Sequence, residues 1–107
     1  MGYTVLRYMT PNGIDVVSEF LQGLGDRVAL RAISRRLVQL ELGHFGDFSS
    51  CREAVWELRI HAGAGYRIYY TILAHHIVLL LAAGSKRTQS RDIQRAIRYR
   101  ADYEARQ

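Results

Sequence analysis

Cysteine occurs once, at Cys51, so no intrachain disulfide can form and a reducing, cytoplasmic setting is expected. Proline also occurs once, at Pro11, inside the turn signal Pro11-Asn12-Gly13. The longest apolar run, Ile77 to Ala83, is far shorter than the roughly 20 residues that cross a bilayer as a helix. The first residues, MGYTVLRYMTPNG, lack a charged segment followed by an apolar core, so no secretory signal is expected there. Internal repeats, low-complexity tracts and linkers are missing, so residues 1–107 read as a single domain. Metal-ligand spacing is missing too. His75 and His76 are adjacent in a tight turn, and no Cys or His pair has zinc-site separation, so no metal or other cofactor is expected. Cys51 and His44 share a stretch without any motif that would activate a thiol, and Cys51 reads as structural. Lysine is nearly absent: Lys86 is the only one, and every other basic residue is arginine.

What is present is a 49% hydrophobic chain with a net charge of +5. That is ample for a core, and the charge points toward nucleic acid or an acidic partner. A host with high genomic GC content gives the same preference for arginine, but it does not explain the net positive charge. Arginine binds phosphate bidentately and stays protonated.

The pattern of apolar residues predicts a strand over Tyr3–Met9 and a short helix over Gly13–Gln22 with Asn12 as its cap. A second helix is predicted over Arg27–Leu42, capped by Asp26. Its apolar stripe is Leu30, Ile33, Leu37 and Leu40, and Arg27, Arg31 and Arg35 lie opposite. The short connection between them implies an antiparallel helical hairpin. The arginine row is either a solvated face or a surface for RNA or a partner. Gly43 to Arg52 reads as a loop.

Three strands follow, over Val55–His61, Tyr66–Leu73 and Ile77–Ala83. Successive side chains of a strand point to opposite faces. Trp56, Leu58 and Ile60 therefore share an apolar face, while Glu57, Arg59 and His61 share a polar one. In the next strand Arg67, Tyr69 and Thr71 oppose Tyr66, Ile68, Tyr70 and Ile72. Paired as a hairpin, the two strands bring Arg59 and Arg67 to one polar face. The third strand is apolar on both faces and so belongs inside a sheet covered on both sides. A last helix over Gln89–Ala105 carries an apolar stripe of Ile93, Ala96, Ile97 and Ala101 beside the arginines Arg91, Arg95 and Arg98. Lys86 and Arg87 stand between that strand and that helix.

Assembled, these pieces predict a shallow cleft. Its floor is Glu57, Arg59, His61, Arg67 and Tyr69, and its rim is Lys86, Arg87 and the arginines and tyrosines of the last helix. Such a cleft suits a phosphate. Cleavage of RNA by its own 2′-hydroxyl needs cations on the phosphate oxygens, a base and an acid. Arg59, Arg67 and Lys86 fit the first role. Tyr69, Tyr99 or Tyr103 can stack a base or pass a proton, and Glu57 or His61 can be the base. A groove that only binds RNA has the same composition.

Several ordered segments carry a family resemblance. They are Gly25-Asp26-Arg27, Arg36-Leu37, Leu42-Gly43-x-Phe45-Gly46-Asp47, Leu58-Arg59-Ile60, Gly65-Tyr66-Arg67-Ile68-Tyr69-Tyr70, Ile77-Val78-Leu79-Leu80-Leu81 and Gly84-x-Lys86-x-x-Gln89-x-x-Asp92-Ile93. Together they resemble the RelE/ParE toxin superfamily of type II toxin–antitoxin systems, and most of all its phage-derived, HigB-like addiction module killer proteins. The resemblance implies an α+β, RelE-like fold: a strand, a helical hairpin, a three-strand antiparallel meander and a C-terminal helix. It implies a cytoplasmic, ribosome-dependent mRNA endonuclease without a metal. It also implies neutralisation by a cognate antitoxin, often a helix-turn-helix protein, through which the pair would bind operator DNA.

Carried over by motif, Arg67 takes the place of the strand arginine that stabilises the transition state, and Arg59 and Lys86 those of basic residues of the same cleft. Tyr99, or Tyr103, is the candidate for the tyrosine that often assists. Arg87, Tyr69, Arg91 and Arg95 are the expected RNA contacts. Many relatives have an acid where this chain has Ser85, so an acidic role in that loop is not implied. The same fold also serves gyrase-inhibiting, ParE-like toxins without nuclease activity, and an inactive relic would keep the antitoxin-binding surface.

Overall fold

The structure, a computed structural model, describes residues 2–107. Its elements are β1 (Thr4–Arg7), α1 (Val16–Gln22), α2 (Arg27–Glu41), β2 (Phe48–Arg52), β3 (Val55–Ile60), β4 (Tyr66–Leu73), β5 (Ile77–Ser85), a 3-10 turn (Lys86–Thr88) and α3 (Gln89–Ala105). The strands form one mixed sheet in the order β1-β5-β4-β3-β2, with β1 parallel to β5 and the other pairs antiparallel. The fold is α+β, and β5 is interior, as its two apolar faces require.

The helices sandwich the sheet. Val17 of α1 and Ala29, Ile33, Leu37 and Leu40 of α2 pack with Leu58, Ile60, Ile68, Tyr70, Val78 and Leu80 on one face. On the other, Ile93, Ala96 and Ile97 of α3 pack with Val55, Tyr69, Leu79 and Leu81. Both helices of the first layer start at an aspartate. Asp26 Oδ1 accepts from the Ala29 amide at 3.0 Å, and Asp15 Oδ1 accepts from the Ser18 amide at 3.0 Å. The expected start of α1 at Asn12 is therefore corrected to Asp15. Gly13, at φ +82°, is left-handed and cannot belong to a helix.

Two further expectations change. The stretch read as a loop over 43–52 ends in an edge strand, β2, whose Ser49 and Ser50 pair with Glu57 and Trp56. In α3, Ala101 is exposed; Tyr99 and Tyr103 pack toward the sheet instead.

A bulge in β5 positions the site. Tyr69 pairs with Ala82 while Tyr70 pairs with Leu80, so Leu81 is an extra residue. The inserted residue shifts the alternation by one. Leu79 and Leu81 face α3, and so does Ala82, which leaves Ala83 on the α2 side. Gly84 consequently turns toward α3, where a Cβ would lie 1.9 Å from Asp92 Oδ2 and 2.8 Å from the Thr88 hydroxyl. The missing side chain lets the start of α3 approach the sheet. Gly84→Ala is predicted to destabilise the fold by about 1–3 kcal/mol, through the displacement of a buried carboxylate, as measured by chemical denaturation.

Candidate active site

Two rows of side chains cross the sheet on the α3 face. Asp47, Arg59, Arg67 and Gly84 form the first. The Arg59 amide bonds the Asp47 carbonyl at 2.9 Å, Arg59 is paired with Arg67, and Arg67 with Gly84. The second row is Ser49, Glu57, Tyr69 and Ala82.

Glu57 is 3% exposed. A carboxylate so buried needs positive charge and donors around it. Its Oε2 lies 3.0 Å from Arg59 Nη1 and 3.7 Å from Arg67 Nε. Its Oε1 accepts from Gln89 Nε2 at 3.3 Å and from the Cys51 thiol at 3.6 Å. Asp47 completes the charge balance. Its Oδ1 is 2.8 Å from Arg59 Nη2, and its Oδ2 is 2.6 Å from His61 Nε2. The hydrogen bond from Arg59, followed by that from His61, holds the Asp47 carboxyl well below the usual carboxylate range. The loop that presents Asp47 is pinned by Arg36, which donates to the carbonyls of Arg59 (2.6 Å), Phe45 (2.8 Å) and Asp47 (3.2 Å).

A pocket of about 60 Å³ opens at the end of the first row, lined chiefly by Arg59, His61, Gly65, Arg67 and Lys86. Its rim is closed by the Lys86 amide, which donates to the Gly65 carbonyl at 3.0 Å. Arg67 is 13% exposed, and its Nε and Nη1 are buried without a hydrogen-bond acceptor. Lys86 is exposed and forms no ion pair among the described residues. The pocket thus brings a guanidinium, two of whose nitrogens are buried without acceptors, beside a free ammonium.

The structure brings Arg59, Arg67 and Lys86 together, with His61 beside them. Other expected residues are elsewhere. Tyr69 is fully buried beneath α3, its hydroxyl without a partner and its phenol pKa raised by that burial; it presents no ring to a base. The expected open floor is likewise corrected, because α3 covers Glu57 and Tyr69 and leaves only the Arg67 end accessible. Tyr99 follows Gln89 by ten residues, about 15 Å along the helix. It stacks on Tyr8 at 4.8 Å, with Arg95 5.8 Å from its ring, far from the pocket. Tyr103 packs in the same group.

Arg91 and Arg95 each lie 3.2 Å from Asp92 Oδ1 and hold that buried carboxylate. Arg87 is exposed on the turn after Lys86. Arg27, Arg31 and Arg35 line the outer side of α2, remote from the pocket face.

Sequence reasoning missed Asp47 and Arg36 as parts of the site. The segment Gly43-x-Phe45-Gly46-Asp47 was the available signal, and its glycine explains itself here: Gly46 has φ +66°, and a Cβ there would meet Arg36 Nη2 at 3.0 Å.

Residues 20–101 match the family described as Phage derived protein Gp49-like (DUF891). The chain belongs to this family. The Gp49-like proteins are RelE/HigB-like addiction module toxins. This Gp49-like chain is 39% identical over 77 residues to an uncharacterized protein of Haemophilus influenzae, a stretch that covers 72% of this chain and 78% of that one. Its fold is that of Escherichia coli toxin RelE. A free-state RelE structure carrying two arginine-to-alanine changes superposes with a TM-score of 0.59, covering 89% of this chain and 98% of RelE at 17% identity.

Cys51 supplies a check on the polar row. Burial, followed by the Glu57 carboxylate, pushes its thiol up to about 11. Alkylation by iodoacetamide is predicted to stay slow at neutral pH and to rise only as the pH approaches that value, as followed by mass spectrometry. Fast alkylation at pH 8 would contradict the buried Glu57 arrangement.

Proposed function

We propose that this Gp49-like toxin is an endoribonuclease that cuts messenger RNA on the ribosome and is neutralised by a cognate antitoxin, a helix-turn-helix protein through which the pair reaches operator DNA. Its setting is the cytoplasm. The observation that carries the reading is the pocket in which Arg67, two of whose nitrogens are buried without an acceptor, meets the unpaired Lys86. Arg67 holds a non-bridging oxygen of the scissile phosphate, and Lys86 neutralises the pentacoordinate species from the rim. Arg59, turned to Asp47 and Glu57, acts mainly by fixing those acids, and through Glu57 by fixing Arg67. Arg87 continues the cationic edge along the RNA backbone, and Arg91 and Arg95 extend it at the start of α3.

A gyrase-inhibiting toxin on the same fold would need no phosphate pocket, so the cluster favours the nuclease. Induction in cells with mapping of message 5′-ends distinguishes them. Cuts within translated codons are expected, and Arg67→Ala should reduce them about 100- to 1,000-fold. Intact messages together with a DNA-damage response would overturn the nuclease reading.

A further inference from the structure

An RNA-cleaving pocket needs a proton acceptor, and among the pocket's side chains His61 is the one placed to serve while Lys86 carries phosphate charge and Asp47 is held by Arg59. Tyr69 is buried and Tyr99 is remote. Glu57 is enclosed by Arg59, Arg67, Gln89 and Cys51. His61 differs in exposure and in place. It lines the pocket beside Arg67 and Lys86, its side chain is 74% exposed, and it is held from behind by an acid. Its Nε2 lies 2.6 Å from Asp47 Oδ2. Asp47 is itself fixed through Oδ1 by Arg59, at 2.8 Å from Nη2 and 3.2 Å from Nε. An ionised Asp47 accepts a hydrogen bond but cannot donate one, so the contact sets Nε2 as the protonated nitrogen and leaves Nδ1 with its lone pair.

We infer that His61 is the general base of the cleavage and that Asp47 is its positioning residue, fixing the tautomer and orientation of the ring. The inference rests on the nuclease reading above. In the step it describes, His61 Nδ1 takes the proton of the 2′-hydroxyl. The 2′-oxygen forms a bond to phosphorus, the bond from phosphorus to the 5′-oxygen breaks, and that oxygen takes a proton from water. The products are a 2′,3′-cyclic phosphate and a 5′-hydroxyl, and the imidazolium afterwards returns its proton to solvent. Arg67 and Lys86 face the same pocket and carry the phosphate charge, while Asp47 balances the imidazolium. This division of labour gives Arg59 a purpose that its two ion pairs would otherwise deny it: it anchors the acid behind the base.

The test uses the full chain with ribosomes programmed with a defined message, measuring single-turnover cutting by primer extension. His61→Ala should lower the rate about 100- to 10,000-fold while leaving the thermal melt close to that of the unmodified chain, because the side chain is exposed. Added imidazole should restore part of the loss. Asp47→Asn should lower the rate while His61 is present, and have a smaller effect in His61→Ala supplied with imidazole, since a free base needs no orienting. Cutting by His61→Ala at the unmodified rate would overturn the assignment and leave the nuclease reading standing. A loss that imidazole does not restore would also overturn it, placing His61 in RNA binding. Failure of the unmodified chain to cut at all would overturn the nuclease reading and the assignment together.

Discussion

A carboxylate held out of water between two guanidinium groups governs this sheet face. Glu57 sits in the middle of β3, under α3, with Arg59 and Arg67 on one side and Gln89 on the other. Removing the guanidinium partners would leave the buried Glu57 carboxylate uncompensated, which destabilises the fold. The four residues therefore come as a set. Glu57 draws Arg67 inward until Nε and Nη1 are shielded from solvent, yet at 3.7 Å it does not satisfy them by a hydrogen bond. Arg67 thus keeps two nitrogens without acceptors at the edge of the pocket. Arg59 is consumed differently: it is divided between Glu57 and Asp47, and so transmits order to His61.

The second constraint is steric. The bulge at Leu81 turns Gly84 toward α3, and Gly84 admits Asp92 and Thr88 against the sheet. Asp92 is fully buried and accepts from the Thr88 hydroxyl, Arg91 and Arg95. The turn carrying Lys86 is thus tied at both ends, to Gly65 by its own amide and to α3 through Thr88. Lys86 thus presents an exposed, unpaired side chain from a fixed backbone.

The candidate site was legible in the sequence where strand parity alone decides it. Alternation in β3 and β4 puts Glu57, Arg59 and Arg67 on one face, and the short turn aligns Arg59 with Arg67. The cap at Asp26 and the buried stripe of Ile33, Leu37 and Leu40 were legible for the same local reasons. What escaped depends on distant contacts. β2, with the sequence FSSCR, is an edge strand without an apolar alternation, and it exists because β3 pairs with it. Asp47 acquires its role only through that pairing. The burial of Tyr69 follows from where α3 lies, which in turn follows from one inserted residue in β5. Tyr99 shares a helix with Arg91 and Arg95, but the helical rise carries it out of reach of the pocket. In each case composition named the right residue types and tertiary contact selected among them.

The proposed function requires that Arg67 and Lys86 form the phosphate-binding end of the cleft. Nuclear magnetic resonance on the ¹⁵N-labelled chain, titrated with a short single-stranded RNA whose 2′-hydroxyls are methylated, tests it directly, because the ligand cannot be cut and the arginine Nε signals report on individual guanidinium groups. The largest shifts are expected at Arg67 Nε and at the Gly65 and Lys86 amides. Shifts confined to Arg27, Arg31 and Arg35 on α2, with the Arg67 signal unchanged, would contradict it.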